Sequence, residues 1–123
     1  MTEMSLRDFA ILVVEDEFLL ADDICFELTK REATVIGPAA SVEQGIALLN
    51  ATEGLSGAVL DVNLRGEPVF PLADALLARG LPFVFATGYD ASVIPDRFQH
   101  VPRCEKPVRL SRVVEALGRA AGR

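Results

Sequence analysis

The sequence predicts an α/β domain built on a mostly parallel five-stranded sheet with helices on both faces. Three observations carry this expectation. Short apolar runs rich in β-branched and aromatic residues recur five times along the chain, and the longest are continuous, as strands buried on both faces are. Stretches with apolar residues at helical spacing lie between them. Turn residues separate the two kinds of segment, and strands that alternate with helices imply βαβ units with right-handed crossovers.

The elements follow in order. FAILVV at residues 9–14 is the first strand, and Leu20, Ala21, Ile24, Cys25 and Leu28 then share one face of a helix running to about Lys30. TVI at 34–36 is a second strand, stopped by Gly37 and Pro38. Ser41 opens the next helix as N-cap with Gln44 completing a capping box, and Val42, Ile46 and Leu49 form its buried face. AVL at 58–60 is the third strand, ending at Asp61. NLRGEP at 63–68 reads as a loop, followed by a helix over residues 71–79 with Gly80 past its end. PFVFA at 82–86 is the fourth strand, ending at Thr87. Residues 88–100 carry weak signals, a turn or two over 91–98 interrupted by Pro95. A short fifth strand over 101–104 precedes a last amphipathic helix marked by Leu110, Val113, Val114 and Leu117.

A chain of 123 residues fits one domain, here 1–123 with its core over about 9–121. Its net charge of −6 and the lack of a basic patch argue against nucleic-acid binding. Cys25 and Cys104 belong to no CxxC or Cys/His cluster, which argues against zinc. They read as small buried hydrophobes in a reducing cytoplasm. The polar N-terminus lacks a signal-peptide core, and no apolar run approaches the ~20 residues of a membrane span. A cytoplasmic protein without membrane contact is expected. His100, the one histidine, reads as a solvated or capping residue.

The residues that follow each strand carry the chemistry. Glu15, Asp16 and Glu17 follow the first, Asp61 the third, Thr87 the fourth and Lys106 the fifth. In a parallel sheet these groups converge at the carboxyl edge, where ligands of such sheets bind. Crowded carboxylates call for a cation, and Mg²⁺ takes hard oxygen ligands and shares phosphate. A carboxylate can also be the nucleophile that becomes an acyl phosphate, with a hydroxyl and an ammonium stabilising its charge. Taken singly, each residue has a plainer explanation: acids after a strand cap helices, Asp61 and Thr87 suit turns, and Lys106 suits a surface. Their joint placement, each at the end of a different strand, favours the phosphoryl site.

ILVVEDE, VLDVNL, FATG and EKP, in this order and spacing, resemble the receiver domain of bacterial two-component response regulators over residues 9–117. The resemblance implies the flavodoxin-like (βα)5 fold with strand order 2-1-3-4-5. It implies Asp61 as phosphoacceptor, and a Mg²⁺ site, open also to Mn²⁺, at Glu15, Asp16 and Asp61 with the backbone carbonyl of Asn63. Asp16 matches the more direct ligand. Thr87 and Lys106 match the hydroxyl and ammonium that contact the phosphoryl group, with a cis peptide before Pro107. Asn63 and Tyr89, each two residues past a site residue, match the positions that tune hydrolysis. The partner implied is a histidine kinase or a histidine phosphotransfer protein, with no nucleic acid and no membrane, for a monomer or weak dimer.

This chain departs from the family pattern in three places, one of them the short fourth-helix region with Pro95. Glu15 stands where the family usually has Asp, and Arg103 where it usually has the Tyr or Phe that rotates on activation. FVFATGYD, the spacing of Pro95 and Pro102, and CEKPV resemble the FATGUY-motif subgroup of alphaproteobacteria, associated with HWE-type kinases. That moves the expected switch to an ordering of residues 88–101, with a partner surface at Tyr89, the region around Phe98 and the last helix. Phe18 reads as core or partner surface. The leading expectation is a stand-alone receiver, or one excised from a larger protein, with autocatalytic phosphoryl transfer and autodephosphorylation but no enzymatic turnover. One alternative is a degenerate receiver acting as an interaction module. Another is an aspartyl-phosphate phosphatase or phosphotransferase, disfavoured because such enzymes place the nucleophile after the first strand and carry a cap domain.

Overall fold

The computed structural model describes residues 5–87, 94–105 and 110–120. In chain order the elements are β1 (Ala10–Val14), α1 (Phe18–Lys30), β2 (Thr34–Ala39), α2 (Val42–Ala51), β3 (Gly57–Asp61), β4 (Asn63–Leu64), β5 (Glu67–Pro68), α3 (Phe70–Ala78), β6 (Phe83–Thr87), a 3₁₀ turn (Asp96–Phe98), β7 (Arg103–Glu105) and α4 (Leu110–Ala120). Five strands form one parallel sheet in the order β2-β1-β3-β6-β7. Setting aside the small β4–β5 hairpin, this is the expected order 2-1-3-4-5.

Strand alternation sorts the core into two layers. Leu12 and Val14 of β1, Ala58 and Leu60 of β3, and Phe83 and Phe85 of β6 face the layer packed by Val42, Leu49, Leu72 and Leu76 from α2 and α3. Ile11, Val13, Val59, Val84 and Ala86 face the opposite layer, with Ile24 and Leu28 of α1 and Leu117 of α4. Both faces are therefore dry, which is why these strands read as unbroken apolar runs. Full burial of each large side chain contributes about 1.5–3 kcal/mol. Helices α2 and α3 approach closely at Gly45, where a Cβ would stand 2.6 Å from Leu72 Cδ2.

Helix α2 is capped as expected at Ser41, whose Oγ accepts from Gln44 N–H at 3.1 Å. The Gln44 side chain reaches back to Ala40 N–H at 2.9 Å, one residue before the cap. Strand β2 differs from the sequence expectation: it runs through Gly37 and Pro38 to Ala39 instead of stopping before them. Gly37 takes a φ of +104° that a side chain would resist, and the register shifts between Leu12 and Val14. A sheet-edge strand tolerates the missing proline N–H. The extension matters for the site, because the Ala39 carbonyl accepts from Glu15 N–H at 2.9 Å.

The second half of the segment expected to switch is anchored. Ile94, Phe98 and Val101 are buried. The Phe98 ring stacks on Phe70, with centroids 5.6 Å apart, and meets Phe83 and Phe85 edge-on. The Phe98 ring itself is thus core, so any surface in the region around it is formed by its neighbours. Residues 88–93, the first half of that segment, lie outside the described residues. Cys25 and Cys104 are half-buried free thiols, and burial raises the pKa of both.

Arg97 ties the 3₁₀ turn to α3 through two bonds to the Asp74 carboxylate, at 2.9 and 3.0 Å. The Arg97 hydrogen bond, and its charge after that, hold the Asp74 carboxyl below its ordinary range. A lowered folded-state pKa adds stability above the unfolded value and loses it as pH falls through the folded one. The pair is exposed, so its effect on stability is small. Arg97→Gln should raise the Asp74 titration midpoint, followed by carboxyl NMR, back towards that of a free aspartate. An unchanged midpoint would show that the pair does not persist in solution.

Candidate functional site

Two backbone departures from the sheet edge build the site. Strand β1 ends at Val14 and α1 begins at Phe18, so Glu15, Asp16 and Glu17 lie in the turn before a helix N-terminus. The partial positive charge there favours carboxylates. Strand β3, next to β1, ends at Asp61, which lies beside Ala86 of β6. Glu15 and Asp61 are buried. One carboxylate oxygen each from Glu15, Asp16 and Asp61 lie within 4.8 Å of one another.

Local hydrogen bonds set the side chains. Glu15 Oε2 accepts from Glu17 N–H at 3.1 Å, and Asp61 Oδ1 accepts from Asn63 N–H at 3.3 Å. Both carboxylates therefore fold back over their own turns. An all-oxygen donor set of three carboxylates suits a hard divalent cation such as Mg²⁺.

The segment after Asp61, expected to be a loop, is a hairpin: Asn63 pairs with Pro68 and Leu64 with Glu67. Arg65 and Gly66 at its tip have φ of 55° and 90°, as a two-residue primed turn requires. Asn63 Oδ1 accepts from Gly66 N–H at 2.5 Å, and Glu67 Oε1 accepts from Val42 N–H at 3.2 Å, docking the hairpin on α2. From the tip, Arg65 reaches Asp16, with Nε 3.4 Å from Oδ2. Sequence reasoning missed this contact. The available signal was the Arg-Gly pair between two short extended pieces.

Arg103 lies in β7 opposite Phe85, and its Nη2 donates to the Gln99 carbonyl at 3.0 Å and to Gln99 Oε1 at 3.2 Å. Gln99 in turn donates to the Ile94 carbonyl at 2.8 Å. Arg103, where the sequence resemblance would put an aromatic, is part of a polar tie across residues 94–103. Thr87 closes β6 opposite Glu105. The Thr87 side chain, Tyr89, Lys106 and Pro107 lie outside the described residues.

No family model matches the chain, and no curated protein does. Solved structures do. The solution structure of SdrG from Sphingomonas melonis Fr1 is 36% identical, with a TM-score of 0.76, over 95% of this chain and 98% of that one. The BeF3-activated conformation of SdrG, from Pseudomonas melonis Fr1, is 38% identical with a TM-score of 0.74, over 92% and 96%. A response regulator receiver protein from Pseudomonas putida superposes with a TM-score of 0.79 over 94% and 99%; at 20% identity it speaks for the fold alone.

Proposed function

The chain belongs to the receiver domains of response regulators, and on that premise we propose that it takes a phosphoryl group on Asp61 and signals through the change that follows. The carrying observation is the convergence of Glu15, Asp16 and Asp61 carboxylate oxygens within 4.8 Å at the carboxyl edge of the sheet.

Glu15, Asp16 and Asp61, with the Asn63 carbonyl, would hold Mg²⁺ or Mn²⁺. A bound divalent ion would neutralise the carboxylates and offset charge on the incoming phosphoryl oxygens. The chain's own groups supply the rest. Asp61 is held by the central strand and its bond from Asn63 N–H, and its carboxylate would be the nucleophile. Thr87 and Lys106 are assigned the contacts to the phosphoryl oxygens, and Pro107 the cis turn after the lysine. Asn63 and Tyr89 flank the acyl phosphate and tune its hydrolysis, and Arg103 ties the neighbouring loop.

The donor would be a histidine kinase, of the HWE type if the FATGUY resemblance holds, or a histidine phosphotransfer protein. Phe18, Leu19 and Phe26 of α1 are exposed, Phe18 by 79%. With the cluster beside the start of that helix, they offer a helical donor protein an apolar footing. Among the described residues no helix is long and apolar enough to cross a membrane.

Incubation with acetyl phosphate and Mg²⁺ should raise the intact mass by one phosphoryl group, and chelation should prevent it. Asp16→Ala should abolish both Mg²⁺ binding and the mass gain. Unchanged Mg²⁺ affinity in that variant would overturn the metal assignment.

A further inference from the structure

The hairpin tip brings a permanent positive charge to a cluster that is otherwise an acceptor for cations. Arg65 Nε stands 3.4 Å from Asp16 Oδ2, with the arginine side chain 81% exposed and the aspartate 14%. The approach is set by the fold: the turn holds Arg65 at φ 55°, and Glu67 fastens the hairpin to the first N–H of α2. We propose that Arg65 is a resting counter-ion of Asp16 that competes with the divalent cation and so sets the affinity and exchange of that ion. This rests on the reading of the cluster as a divalent-cation site.

The physics is direct competition. A cation and the guanidinium draw on the same Asp16 carboxylate, and two positive charges a few ångströms apart repel. Because the side chain is largely in water, it can swing outward when the cation arrives without any backbone change. The cost of its departure is that of a surface ion pair, which is modest and salt-dependent. The device therefore tempers the affinity of the cluster instead of blocking it. It also gives the cluster partial charge compensation when the ion is absent.

Mg²⁺ and Mn²⁺ titrations by calorimetry of the full chain, as wild type, Arg65→Asn and Arg65→Lys, test it. Asparagine removes the charge and is at ease in the left-handed conformation, so the turn is kept. Arg65→Asn should bind both ions roughly three- to fivefold more tightly at low salt. Arg65→Lys should stay within about twofold of wild type, since it keeps a cation at the same tip. The advantage of Arg65→Asn should vanish at high monovalent salt. Affinity in Arg65→Asn equal to or below wild type would overturn the proposal. So would an advantage that persists at high salt, which would trace to the turn and not to charge. The reading beneath it fails separately: if wild type binds neither ion, or Asp16→Ala binds as wild type does, the cluster is not the cation site.

Discussion

Asp61→Asn should gain no mass on incubation with acetyl phosphate and Mg²⁺, while the wild type gains one phosphoryl group. The carboxylate oxygen attacks phosphorus and the donor's leaving group departs. An amide oxygen carries no such charge and is a far weaker nucleophile. The fold should survive. Asp61 closes the central strand between the buried Leu60 and Val62, and the near-isosteric amide keeps an oxygen that can accept from Asn63 N–H. Removing one of three crowded carboxylates also relieves repulsion when no cation is bound, so the melting temperature should equal or exceed that of the wild type. Peptide mapping should place the wild-type label on Asp61. A label on another residue, or a mass gain retained by the variant, would remove Asp61 from the role.

Phe98→Ala should cost about 3–5 kcal/mol of unfolding free energy, the range for truncating a fully buried aromatic ring. The Phe98 ring is inaccessible and touches Phe70, Phe83 and Phe85. The Arg97 guanidinium also lies over it, 4.6 Å from the centroid. The truncation leaves a cavity between β6 and α3 and frees the 3₁₀ turn that Arg97 and Gln99 otherwise stitch down. Urea unfolding should show a lower midpoint with little change in slope. A loss below about 1 kcal/mol, the usual range for a surface change, would mean that residues 94–101 are not docked in solution. The same ring bears on signalling. If Phe98 is an anchor, residues 94–101 form a fixed end for any conformational change in this part of the chain.

Much of this molecule follows from local pattern. The unbroken apolar character of residues 9–14, 58–60 and 82–86 announces strands covered on both sides, because only a doubly dry sheet accepts such runs. Ser41 and Gln44 announce the start of α2, since the cap needs only neighbours in sequence. The acids after β1 and Asp61 after β3 were legible as one site because parallel strands bring like ends together. Tertiary structure decided the rest. Whether β2 stops at Gly37 depends on its being a sheet-edge strand beside β1, which no local signal states. Residues 94–101 look like a weak loop by helix propensity, yet Phe98 belongs to the core through rings on α3 and β6. Arg65 looks like one more surface arginine, and only the hairpin turn brings it to Asp16, 49 positions earlier in the chain. Contacts between residues far apart in sequence depend on where the fold returns the chain, and periodicity and turn chemistry act within a few residues.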